Sequence, residues 1–131
     1  MKKIIKYPII TFIIILLIFA VIASCAFLEY KKKLRENPVE NVDVKKVQDG
    51  VYTGWFDATL VNAKVEVTVQ KGKIIDLKLL QHDHGKGYSG EAILAKVLNE
   101  QSLEVNMITG ATASSQTILK AIEFALRKGL D

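Results

Sequence analysis

The sequence predicts an α+β domain, a small antiparallel β-sheet with two packed helices, preceded by one N-terminal membrane helix. Three observations predict it. Tyr7 to Leu28 is an apolar run without a charged residue. Val65, Val67 and Val69 alternate with polar residues, as do Ile75, Leu77 and Leu79 beyond the turn Lys71-Gly72-Lys73, the pattern of a half-buried hairpin. Two later segments carry their apolar residues at helical spacing. Strands come first and helices afterwards, with no internal repeat.

The elements follow in order. As a helix, Tyr7 to Leu28 extends about 33 Å, enough for a hydrocarbon core of about 30 Å. Lys2, Lys3 and Lys6 before it supply the basic start of a signal peptide or signal anchor. Ile22-Ala23-Ser24-Cys25 resembles a lipobox, although Ala26-Phe27-Leu28 continues the apolar run where a cleaved lipoprotein begins polar. Two alternatives therefore stand for residues 1–28: a single-pass anchor, or a signal cleaved before a lipidated Cys25. Either ties the chain to the cell membrane. Residues 29–46 are charged, hold Pro38 and show little periodicity, which predicts a polar stalk. Residues 47–131 are the domain. Val51 to Phe56 is a first strand by its Val, Tyr, Thr and Trp content. Glu91 to Glu100 aligns Ile93, Leu94, Val97 and Leu98 on one stripe, and Ser114 to Lys128 aligns Ile118, Leu119, Ile122, Ala125 and Leu126. Gly129 is expected as the residue that closes the last helix. Tyr52, Trp55 and Phe56, at strand spacing, are expected in the core.

Charge and cysteine content exclude several function classes. The formal net charge is +4, but residues 1–36 hold seven Lys/Arg against two Glu. The remaining eleven basic and twelve acidic residues leave the rest at −1. The basic excess therefore sits beside the membrane, where it meets anionic headgroups of the lipid bilayer, and no nucleic-acid partner is expected. Basic residues flank the apolar run on both sides, so charge alone does not orient it. With Cys25 alone, there is no internal disulfide, CxxC pair or iron–sulfur cluster. A redox role would need a redox group from outside the polypeptide.

Thr109-Gly110-Ala111-Thr112-Ala113-Ser114-Ser115 packs four hydroxyls and three small residues into seven positions at an expected helix start. Helix starts bind phosphate through unpaired N–H groups and the helix dipole, and small residues let a bulky group approach the backbone. The same residues also serve as ordinary helix caps, and composition alone leaves both readings open. His82-Asp83-His84 invites a metal reading, but no further Cys or His completes a site, so no metal is expected. A polar turn built on Gly85, Gly87 and Gly90 explains that loop equally well, and Lys86 and Tyr88 add nothing decisive. No acid, base or nucleophile set for catalysis stands out.

Asn106-Met107-Ile108-Thr109-Gly110-Ala111-Thr112 resembles the flavinylation motif of the FMN-binding domain family: an Asp, two variable residues, Ser or Thr, then Gly-Ala-Thr. The resemblance extends to Asp49-Gly50-Val51-Tyr52-Thr53-Gly54, the hairpin around Gly72, His82 to Gly87, and Ile118 to Leu126. It implies a membrane-tethered electron-transfer protein, a carrier more than a stand-alone enzyme, whose cofactor is FMN esterified to Thr112. A separate FAD-dependent flavin transferase would install the flavin, a membrane redox partner would exchange electrons with it, and the domain would lie outside the cytoplasm. Cofactor contacts are then expected from Thr109, Gly110, Ala111, Thr112, Ser114, Ser115 and Asn106, with His84, Gly85 and Gly87 near the phosphate. The chain departs from the motif at Asn106, which keeps the size of Asp and one acceptor oxygen but loses its charge. Two alternatives are a non-redox binding or assembly module derived from such a domain, and a reductase holding FMN non-covalently.

Overall fold

A computed structural model describes residues 2–83, 92–107 and 112–130. The order of elements is helix α1 (Lys2–Glu36), strands β1 (Gly50–Asp57), β2 (Asn62–Gln70) and β3 (Lys73–Asp83), then helices α2 (Ile93–Glu100) and α3 (Thr112–Arg127). The three strands form an antiparallel meander in the order β1-β2-β3, which bears out the α+β reading. Lys71 and Gly72 join β2 to β3 with φ of 53° and 74°, the all-positive pattern of a two-residue hairpin turn, and Asp49 Oδ1 accepts a hydrogen bond from the Lys71 N–H at 2.8 Å.

Alternation along the strands decides which face is buried. Ala63, Val65, Val67 and Val69 of β2 point inward and are at most 1% exposed, while Lys64 and Gln70 are open to solvent. Helix α3 covers that inner face with Ile118, Leu119, Ile122, Ala125 and Leu126. At Gly54 the two layers lie close together. A Cβ built there would lie 1.8 Å from the Ala121 carbonyl oxygen and 2.7 Å from the Ala125 nitrogen. The small Ala121 and Ala125 on the helix answer the missing side chain on the strand.

Two sequence expectations change at this level. Gly129 does not close α3 in a left-handed conformation; its φ lies outside that region, and a Cβ there would meet the Tyr52 ring at 2.5 Å and Val47 Cγ1 at 2.7 Å. It is small because Tyr52 and Val47 occupy the space. Trp55, expected in the core, is 42% exposed on the outer face of the sheet, whereas its neighbour Phe56 is buried and packs edge-on against Phe124 at 6.0 Å between centroids. Strand alternation sends adjacent side chains to opposite faces, so both aromatics cannot be core.

The expected stalk of residues 29–46 is ordered in a different way. Helix α1 continues to Glu36, and Tyr30 and Leu34, one turn apart, pack against the core. Beyond it, Val42, Val44 and Val47 are buried. Asp43 caps the short 3₁₀ turn Val44–Lys46, accepting from the Lys45 N–H. Three contacts then run in register along α3. Gln116 Nε2 donates to the Leu34 carbonyl (2.6 Å), Lys120 Nζ donates to the Pro38 carbonyl (3.0 Å), and Arg127 pairs with Glu40. Behind them Glu123, fully buried, takes both Lys120 (2.6 Å) and Arg127 (2.9 Å). The hydrogen bond and charge of Glu123 hold the Arg127 guanidinium pKa above its ordinary value. Because two cations converge on this one carboxylate, Glu123→Ala is expected to cost about 3 kcal/mol, since it leaves the buried Lys120 ammonium without its counter-charge. Chemical denaturation checks this; an unchanged midpoint would show that the cluster is idle.

Candidate functional site at the Thr112 end of the domain

The strand pairings fix which pieces share an end of the sheet. Asn62, the first residue of β2, pairs with Asp57 at the end of β1 and with Asp83 at the end of β3. Strand β1 runs opposite to α3: Tyr52 lies against Gly129, and Gly54 lies against Ala121 and Ala125. Lys128 Nζ also donates to the Thr53 carbonyl near that crossing. From Gly54, β1 continues about 10 Å to Asp57, and from Ala121, α3 reaches back about 13 Å to Thr112, in the same direction. The Asp57–Asn62–Asp83 rung and Thr112 therefore occupy one end of the domain. Asp83 and Thr112, the described residues that border the His-Gly segment and the Gly-Ala-Thr motif in sequence, thus lie at the same end.

Within α3 the hydroxyls separate sharply. Thr112, its first residue, is exposed. Ser114 (4% exposed) and Ser115 (0%) are buried, and Thr117 is buried with its hydroxyl donating to the Ala113 carbonyl at 2.7 Å. Of the described hydroxyls in the motif, Thr112 is the one open to an enzyme or a bulky ligand. Approaching it, the chain alternates: Leu103 is buried, Val105 and Met107 are half-buried against the core, and Glu104 and Asn106 are exposed. Asn106 thus faces outward, and its carbonyl accepts a hydrogen bond from Lys96 Nζ of α2 at 3.2 Å. Thr109, Gly110, Ala111, His84, Gly85 and Gly87 lie outside the described residues, as do Lys86 and Tyr88.

Residues 61–127, from the start of β2 to the end of α3, match the FMN-binding domain family. The chain belongs to that family. Over 101 residues it is 30% identical to NADH:acrylate oxidoreductase of Vibrio harveyi, a match covering 75% of this chain and 10% of that protein. Over 86 residues it is 26% identical to an uncharacterized protein of Treponema pallidum (strain Nichols), covering 63% of this chain and 24% of the relative. The chain spans about a tenth and about a quarter of the length of these two curated relatives.

The FMN-binding domain holds features at this end that fit a flavin phosphate. Thr112 offers an accessible hydroxyl at a helix start, and Lys96 brings an ammonium to the backbone of the motif. Lys96 escaped the sequence reading because a half-exposed lysine on an amphipathic helix carries no distinguishing pattern; its meaning comes from a neighbour ten residues on. Gln101 was missed for a similar reason. It leaves α2 with φ of 53°, and its side-chain amide exchanges two hydrogen bonds with the Ile74 backbone (2.7 and 2.9 Å), as a strand residue would. That pairing fixes the end of α2, and Asn41 Oδ1 fixes the following turn by accepting the Leu103 N–H at 3.0 Å. A shallow hollow of about 240 Å³ lined by Val51, Thr68, Val69 and Ile75 lies at the opposite end of the sheet and takes no part in this site.

Proposed function

We propose that this chain is a membrane-tethered electron carrier whose FMN is esterified to Thr112 by an FAD-dependent flavin transferase, in a domain outside the cytoplasm. The observation that carries the reading is the exposed Thr112 hydroxyl at the start of α3 in an FMN-binding domain. Helix α1 supports the tether by length and composition, being long and apolar enough to cross a membrane. A lipidated Cys25, which is exposed, is the alternative anchor.

FMN supplies reversible uptake and release of electrons when bound. The chain's own residues do the rest. Thr112 retains the group covalently, which keeps it from being lost by dilution outside the cell. The Lys96 ammonium adds positive charge beside the motif backbone, where a phosphate is favoured. The relationship to an oxidoreductase of Vibrio harveyi, of which this chain covers a tenth, supports a redox role over a pure assembly module.

Asn106 is the feature that favours the assembly-module reading. Its exposure bears on the point: a carboxylate at this position is solvated, so Asn106→Asp introduces no buried charge. Asn106→Asp is expected to leave the flavinylated fraction equal or raised. A clear fall in that fraction would contradict the role assigned to the position. Carrier and reductase are separated by spectroscopy of the purified protein. Bleaching of the flavin by dithionite with recovery in air, and no bleaching by NADH alone, is the carrier's expected behaviour. Rapid bleaching by NADH without a partner would replace it with the reductase.

A further inference from the structure

The contacts between α3 and the segment that follows α1 have a direction. Leu34 meets Gln116, Pro38 meets Lys120 and Glu40 meets Arg127, so the chain leaves α1 beside the first turn of α3 and runs along it towards its C-terminal end. The end of α1 is therefore on the Thr112 side of the domain. Thr112 precedes Gln116 by four residues, about 6 Å, on the same face of the helix, and Leu34 lies about 9 Å beyond Leu28, where the uncharged run ends. The Arg127 end of α3 is about 22 Å further from Thr112 along the helix axis.

We propose that this clamp holds the Thr112 end of the domain against the headgroups of the bilayer that α1 enters, making that end a lipid-facing surface. The inference rests on the membrane-spanning reading of α1. A domain on a flexible stalk would sample every orientation; here Tyr30, Leu34, Val39, Val42 and Val44 are packed on the core, and the buried Glu123 anchors the cations that grip the segment. Lys31, Lys32, Lys33 and Arg35 lie at the junction, where anionic headgroups attract them. Leu60, in the turn between β1 and β2 at the same end, leaves about half of its surface exposed.

The test places a fluorophore at either end of the full-length chain in vesicles containing a nitroxide-headgroup lipid, with Cys25→Ser as background. Leu60→Cys marks the Thr112 end and Gln70→Cys the far end of β2, roughly 27 Å or more away along the sheet. The Leu60 label is expected to be quenched at least about twofold more strongly, given that separation. Equal quenching, or stronger quenching at Gln70, would overturn the orientation. Adding Gln116→Ala and Glu40→Ala, both at half-exposed or exposed positions, is expected to reduce the contrast while the Lys120–Pro38 bond and the apolar packing keep part of it; an undiminished contrast would remove these two contacts from its cause. Flotation of the vesicles in the same experiment reads the membrane attachment separately: protein that stays at the bottom contradicts the membrane reading itself, whereas protein that floats with equal quenching contradicts the orientation alone.

Discussion

Thr112→Ala is expected to abolish covalent flavin completely while the domain stays folded. The phosphoester needs a hydroxyl, and the other described hydroxyls of the motif, Ser114 and Ser115, are buried and cannot replace it without unwinding the first turn of α3. Thr112 is exposed, so its truncation removes no packing, and the change in stability should stay below about 1 kcal/mol, the scale of a lost helix cap. Circular dichroism and a thermal melt establish the fold, and ultraviolet fluorescence of the denatured protein reads the bond. A variant that folds normally and keeps its covalent flavin would move the attachment to another residue.

The largest structural effect is expected from Gly54→Ala. This glycine is not required by its backbone conformation, because its φ is outside the left-handed region. It is required by distance: a methyl group at 1.8 Å from the Ala121 carbonyl oxygen meets a backbone atom of a helix, which cannot rotate away as a side-chain tip can. Relief requires α3 to lift from β1 by more than 1 Å along its contact with the sheet, opening the core that Ile118, Ile122 and Ala125 close. A cost of about 3 kcal/mol or more follows, against a total stability of about 5–15 kcal/mol for small domains. The thermal midpoint should fall by about 12 °C or more. Flavinylation should fall with it, because the Thr112 end is carried on the displaced helix. A variant with an unchanged melt would show that strand and helix are more loosely packed than their geometry states.

Much of this fold was legible because its signals are local. The alternation of Val65, Val67 and Val69 against their polar neighbours marked β2, Lys71-Gly72 marked the turn, and the stripe from Ile118 to Leu126 marked α3. The segment from Glu29 to Lys46 was not legible for the opposite reason. Its composition is polar and interrupted by Pro38, and its apolar residues Leu34, Val39, Val42 and Val44 share no single period. The segment is instead held by partners about 80 residues away, where Gln116, Lys120 and Arg127 meet Leu34, Pro38 and Glu40. Trp55 shows a different limit: hydrophobicity suggests the core, but its neighbour Phe56 takes the inner face. At the site, the Thr112 hydroxyl was legible as part of a motif. Its separation from Ser114 and Ser115, and the approach of Lys96 to Asn106, depend on helix phase and on the packing of α2, which spacing alone does not supply.

In-gel fluorescence decides whether Thr112 carries covalent flavin. The full chain is co-produced with a flavin transferase in one compartment, denatured, and run on an SDS gel beside a known flavinylated domain. A band that fluoresces under ultraviolet light in the wild-type lane, and is dark in the Thr112→Ala lane, is the predicted result. A dark wild-type band beside a glowing control would contradict covalent attachment at Thr112 and leave the chain as a non-covalent FMN-binding domain or an assembly module.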